Sequence, residues 1–313
     1  MNTAKVAFIL LLSIILFVSI YYLYLNFPQE EREFTFVGGN GESDLIEYSR
    51  GKQFSENMRY PSRKISYTID EICDSNKKEQ VLEAFRILEV KTILEFYPSQ
   101  IGQIKILCSD IPPESENEDY FIAGEGGPAS VLNTSIYDVI LEGKISLFRQ
   151  ERCNDLPIVA LHEILHSLGF EHNDNPGSVL YPTLECDQEI DDYIIEDLND
   201  LYEQDSASDL KIEKVEASKS GKYLDFYIEV LNQGLISAKD VPLTIYHDEE
   251  AVEFDDGKNY VNLGEIGVGV KKILNVTNAK ISRSSENLRF VIDVENNIAE
   301  LFENNNEASM ILN

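Results

Sequence analysis

Three of the four histidines in this chain, His162, His166 and His172, fall within eleven residues, and an acid, Glu163, follows the first of them. Positions four apart on a helix share a face, so His162 and His166 can present imidazole nitrogens to one metal ion. A helix continued to residue 172 would carry the third histidine about 9 Å further along and away from that face. The chain must therefore turn first, and Gly169 is the residue able to take the left-handed conformation that ends a helix and leads Phe170, Glu171 and His172 back to the metal. Three imidazoles leave one tetrahedral position for water, the open arrangement of a catalytic zinc site, and zinc lowers the pKa of bound water to about 7. Glu163 is placed to take that water's proton as general base and pass it to a leaving amine. Because the metal also polarises a scissile carbonyl, no side-chain nucleophile is needed, and peptide hydrolysis fits best. An HExxH pattern arises by accident in about one chain in a hundred of this length, and the glycine and third histidine lower that to about one in 10⁵. Histidines merely satisfied in a helical core are disfavoured accordingly.

The elements that must position these residues are readable in the flanking sequence. Asn154 or Asp155 can cap a helix whose first turn tolerates Pro157, and that helix carries the HExxH. Upstream, Arg63 to Ile69 alternates like a strand, and Asn76 to Leu94 repeats apolar residues at helical spacing through Val81, Ala84, Phe85, Leu88 and Ile93. Gln103 to Cys108, Tyr120 to Ala123, Ala129 to Leu132 and Tyr137 to Phe148 read as further strands, with Glu142-Gly143 as a hairpin turn. A helix between Ile190 and Tyr202 closes the unit. Six strand-like runs follow: Leu210 to Val215, Tyr223 to Leu231, Val241 to His247, Lys271 to Val276, Leu288 to Val294 and Ala308 to Leu312, which predicts a β-sandwich.

The stretch HEILHSLGFEH, with GSVLYP after it, resembles the zinc motif HExxHxxGxxH and the Met-turn of metzincin metallopeptidases, most closely the matrixins, over about residues 60 to 204. The resemblance implies an α+β catalytic domain, a mixed twisted sheet with three helices, in which His162, His166 and His172 bind zinc and Glu163 is the base. It also implies an extended substrate laid along an edge strand, for which Gly124, Gly126, Gly127, Pro128 and Ala129 to Asn133 are the candidate rim, although a plain loop remains equally open. Two departures stand out. Leu180 occupies the place of the family's methionine, a near-isosteric change compatible with activity. The second, structural zinc often found in matrixins has no histidines to hold it, since the one left over is His247, and no cysteine-bearing propeptide motif precedes Cys73. One zinc and no cysteine switch are expected. Residues 208 to 313 resemble the CARDB type of immunoglobulin-like module through VLNQGLISAKDVPLTIY, Val230 to Tyr246, and DVENNIAELFENNNEA, Asp293 to Ala308. Such modules look like cell-surface adhesion or spacer units, which implies a possible surface partner. Asp293, Glu295, Asn297, Glu300 and Glu303 could offer oxygens to calcium, but no ligand loop of recognisable spacing is present and a solvated hairpin is preferred.

The rest of the chain supplies an address. Val6 to Phe27 carries no charge, would span about 33 Å as a helix and ends in bulky residues unlike a cleavage site, so it reads as a transmembrane signal-anchor. Lys5 before it and Glu30, Glu31 and Glu33 after it put residues 1 to 5 in the cytoplasm and the remainder outside the cell, with residues 28 to 59 as a tether. Exported cysteines can pair, and Cys73 with Cys108 and Cys153 with Cys186 is the favoured scheme among three. Asn133 and Asn275 head glycosylation patterns too short to weigh heavily. A formal charge of -30, from 56 acids against 26 bases, excludes a nucleic-acid partner and argues against an anionic membrane surface, its plain meaning being a well-solvated acidic face. The sequence thus predicts a membrane-anchored, outward-facing zinc endopeptidase acting on protein or peptide substrates, with a C-terminal β-sandwich. The rival is a surface adhesion or recognition protein with a catalytically silent peptidase fold.

Overall fold

The computed structural model describes residues 16–17, 53–113, 121–148, 153, 156–254, 257–282 and 286–312. The Val6 to Phe27 span falls outside these residues apart from Leu16 and Phe17, and among the described residues no helix is long and apolar enough to cross a membrane.

The first unit is a mixed six-stranded sheet carrying three helices. Strands β1 (Met58–Arg59), β6 (Asp138–Leu147), β4 (Ile104–Cys108), β2 (Lys64–Ile69) and β3 (Glu95–Pro98) lie in that order, all parallel, and β5 (Gly124–Asn133) runs antiparallel along the far side of β6. Helix α1 (Ser75–Lys91) is capped by the Asp74 carboxylate, which accepts from the Lys77 backbone N-H at 2.9 Å. It buries Val81, Ala84, Phe85 and Leu88, and Phe85 stacks between Tyr67 and Phe96 with ring centroids 4.6 and 4.5 Å away. Helix α2 (Ile158–Ser167) is buried almost all round, so apolar residues are required on every face, and the polar side chains it carries there must have partners. Helix α3 (Asp192–Glu203) buries Ile194, Leu198 and Tyr202, and the Tyr202 hydroxyl accepts from the Tyr60 N-H at 2.8 Å.

The second unit has two sheets around their own core. One has the order β10 (Glu250–Ala251), β9 (Pro242–His247), β13 (Asn287–Ile292), β14 (Glu307–Ile311), with β11 (Tyr260–Asn262) also on β9; the other is β12 (Lys271–Lys280), β8 (Tyr223–Asn232), β7 (Leu210–Ser220). Alternate residues of β8, Leu224, Phe226, Ile228 and Val230, face Leu243, Ile245, Leu288 and Phe290 across the layers. Both disulfides form as the sequence favours, Cys73–Cys108 and Cys153–Cys186.

Several sequence expectations change. The last part of the tether is no tether: Gln53 to Arg59 packs into the first unit, Met58 and Arg59 pair with Asp138 and Val139, and both are buried. A two-residue parallel strand is too short to leave a periodic signal. Glu142-Gly143 is no hairpin turn, because β6 passes straight through it. Gly143 is there for a different reason: a Cβ would stand 2.2 Å from the Tyr60 hydroxyl oxygen. Phe121 to Ala123 is not a strand, and pairing begins at Gly124. Helix α1 stops at Lys91, where the Thr92 hydroxyl donates to the Leu88 carbonyl at 2.7 Å, and this frees Ile93 and Leu94 to lead into β3. The N-cap of α2 is Pro157 itself; Asn154 and Asp155 lie outside the described residues.

Candidate metal centre

Helix α2 ends where the sequence places its turn. Gly169 has φ +99°, and a Cβ there would also press on Met58 at 3.0 Å, so β1 closes the space beside the turn. Phe54 donates its N-H to the Gly169 carbonyl at 2.9 Å, and Gln53 forms a bridge with Phe170, so residues 53–58 brace the segment that delivers His172.

His162, His166 and His172 converge, their ligand nitrogens all within 4.8 Å of one another. The Nε2 atoms of His166 and His162 are 2.9 Å apart, and those of His162 and His172 are 3.1 Å apart. The other ring nitrogens decide what this means. His162 Nδ1 lies 2.6 Å from the Val179 carbonyl and His166 Nδ1 lies 2.6 Å from the Phe170 carbonyl. A carbonyl only accepts, so both Nδ1 atoms carry the proton, and the two Nε2 atoms face each other with lone pairs. Lone pairs at 2.9 Å repel unless a cation joins them, and tetrahedral zinc with Zn–N of about 2.0–2.1 Å would set its nitrogens about 3.3 Å apart. The residues present therefore fit a zinc ion. Burial holds the rings neutral and ready: it pushes His162 down to about 4 and lowers His166 and His172, although His172 remains open to solvent on one side. No other set of His, Cys or carboxylate groups among the described residues brings three ligand atoms within 4.8 Å, and His247 ends β9 in the second unit.

Glu163, next to His162 in the chain, lies against β5. It is 4 % exposed, and burial, with Glu125 nearby, raises its carboxyl to about 8. Its Cγ and Oε1 lie where a Cβ of Gly124 would be, at 2.7 Å, and its backbone carbonyl where a Cβ of Gly126 would be, at 2.4 Å. The glycines of the candidate rim thus let β5 close directly onto the face of α2 that carries Glu163. Among the described residues β5 pairs with β6 alone, which leaves its other edge unpaired there.

The Met-turn equivalent is held by a polar brace that sequence reasoning missed. Asp191, at the N-cap of α3, accepts from Ser178 Oγ, from Asn175 Nδ2 at 2.7 Å and from Asn173 Nδ2 at 3.3 Å. Ser178 Oγ in turn accepts from the Leu180 N-H at 3.0 Å, and Val179 donates its own N-H to the Glu189 carbonyl at 2.8 Å. This chain of bonds fixes the Val179 carbonyl that orients His162. The only sequence signal was an Asp before a helix, which reads as an ordinary cap. Leu180 is fully buried, as a packing residue should be.

Residues 59–203 match the family model described as Matrixin, and residues 207–310 match CARDB. The chain is therefore a matrixin-type domain followed by a CARDB-type domain. Among solved structures it is similar to the CARDB domain of a Pyrococcus furiosus protein determined by NMR, at 20% identity over 34% of this chain and 94% of that one, with TM-score 0.28. A crystal structure of that domain in complex with di-metal ions is similar at 22% identity over 34% and 87%, with TM-score 0.26. No individually curated protein matches the chain.

Proposed function

We propose that this protein is a zinc-dependent endopeptidase, anchored by its N-terminal apolar span with both domains outside the cell. The observation that carries the enzymatic reading is the pair of Nδ1-to-carbonyl bonds, which leaves converging Nε2 lone pairs beside a buried carboxylate. His162, His166 and His172 hold the ion. Zinc bound there supplies an acidified water and an electrophile for the scissile carbonyl.

The chain's own residues do the rest. Glu163 Oε1, pressed against Gly124, receives the proton of the attacking water and returns it to the departing amine. Its raised pKa belongs to the metal-free site; with a dication bound by the histidines, the carboxylate would be drawn back toward ionisation. The unpaired edge of β5 offers main-chain hydrogen bonds to an extended substrate, a mode tolerant of sequence. Leu180 keeps the packing role under the site, and the CARDB-type domain positions the catalytic unit or its substrate at the cell surface.

The test is hydrolysis of unstructured protein substrates by the zinc-loaded protein, with and without chelator, beside Glu163→Ala. Cleavage should stop with chelator, return with zinc, and fall about 10²- to 10⁴-fold in the variant. A protein that binds one zinc yet cuts no better than Glu163→Ala on any substrate library would instead be a silent peptidase fold serving recognition.

A further inference from the structure

The open edge of β5 is short, and the main chain shows where it stops. Opposite residues of an antiparallel pair turn their main-chain groups the same way, both toward each other or both outward. Gly124, Gly126 and Pro128 stand opposite Leu147, Ile145 and Gly143. The Leu147 carbonyl accepts from the Ser109 N-H at 3.0 Å and the Gly143 N-H donates to the Gln103 carbonyl at 2.8 Å, so both residues turn to the β4 side. Gly124, Gly126 and Pro128 therefore turn to the edge that is unpaired among the described residues. Ala123, whose carbonyl accepts from the Phe148 N-H at 2.9 Å, and Glu125 turn to β6 instead. Pro128 has no N-H to give, is buried, and is followed by a shift of register. The row of outward donors is thus Gly124 and Gly126, and it ends there.

One side chain stands along this row. Gly124, Gly126 and Gly127 carry none and Pro128 is buried, which leaves Glu125. A Cβ on Gly124 or Gly126 would face Glu163, so the alternation of the strand points Glu125 away from α2. There it is exposed, and among the described residues it has no hydrogen-bond or ion-pair partner. It is close to the base all the same: burial raises the Glu163 carboxyl to about 8, and Glu125 adds to that rise.

We propose that Glu125 makes this protein select an extended peptide with lysine or arginine at the position opposite it. The inference rests on the reading that the edge of β5 holds the substrate. A peptide laid antiparallel on Gly124 and Gly126 exchanges main-chain hydrogen bonds with those two residues and sets one of its own directly across from Glu125. That is the pair without hydrogen bonds, in which Cα atoms stand about 4.5 Å apart and side chains are closest. The peptide's side chain there shares the face of Glu125, while its neighbours in the peptide turn toward α2 and Glu163. Main-chain pairing with two glycines is indifferent to sequence, so selection falls to this one pair. An opposite charge across such a pair gains a few-fold and a like charge loses about as much, which sets lysine about tenfold above glutamate. The chain's overall charge of -30 favours any cationic peptide, but by the same amount wherever its lysine stands; only Glu125 makes the position matter.

The test reads binding rather than turnover. Short, otherwise neutral fluorescent peptides carry a hydroxamate at one end or the other, which grips the zinc and fixes the register, and a single lysine or glutamate is moved along them. They are titrated by anisotropy against the zinc-loaded full chain in about 0.15 M salt, which screens distant charges. Lysine should bind about tenfold tighter than glutamate at one position. Glu125→Gln should cut that ratio to about twofold or less, and Glu125→Lys should invert it. An equal gain from lysine at every position, the same ratio in Glu125→Gln, or no saturable binding of any peptide overturns the proposal. Position-selective binding by a protein that cleaves nothing would remove the peptidase reading and leave the role of Glu125 standing.

Discussion

His162 and His166 each commit one ring nitrogen to a carbonyl, and that commitment is what makes the other nitrogen a ligand. Val179 and Phe170 therefore matter through their backbones, which no reading of side-chain types could have found, whereas the three imidazoles and Glu163 were legible from spacing alone. Asp191 is the side chain through which the Val179 carbonyl can be tested. Asp191→Ala should weaken zinc about tenfold against a competing chelator while the fold persists, and an unchanged affinity would remove the brace from the account. Leu180→Met conserves volume, so kcat should stay within a factor of a few and stability within about 1.5 kcal/mol. The titrating groups give a pH dependence for metal-stripped protein. Glu163 has a folded pKa raised to about 8, so its contribution to stability is full below its ordinary value of 4.5 and is lost as pH rises through 8. His162 runs oppositely: its folded pKa is lowered to about 4, so its contribution is present above 6.5 and lost as pH falls through 4. Between pH 6.5 and 8.5 the melting temperature of the stripped protein should fall because of Glu163, and Glu163→Gln should flatten that fall.

At the level of elements, the contact between β5 and α2 sets the position of Glu163, the base of the proposed reaction. Gly126→Ala places a methyl 2.4 Å from the Glu163 carbonyl oxygen, so strand or helix must shift. Activity should drop about 10²-fold, as misplacement by an ångström does, with the far-ultraviolet circular dichroism unchanged. Gly177→Ala, where the nearest atom is 3.6 Å away, serves as the control and should stay active. The same contact explains which elements the sequence revealed. Helices α1 and α3 announce themselves by period, and the long strands of the second unit by alternation. Strands β1 and β3 are too short for a period, and Gly143 imitates a turn because an absent side chain looks the same whether the chain bends or a tyrosine approaches.

The whole molecule has two cores with unequal reinforcement. Both disulfides and the histidine trio belong to the first, and the second has neither. Calorimetry should accordingly resolve two transitions. Removal of zinc alone should lower only the first, since an ion held at about 1,000 times its Kd contributes about 4 kcal/mol. A single transition that moves as one would mean the cores unfold together. Residues 53–59 add a consequence for biological release. If an anchored form is ever shed, the cut must fall before Gln53, because a nick after Arg59 would strip β1 from β6, take the bond from Phe54 off the Gly169 turn and set free an inactive fragment. On the proposed function, shedding upstream would release the peptidase unit whole, and shedding a few residues later would be a way of switching it off.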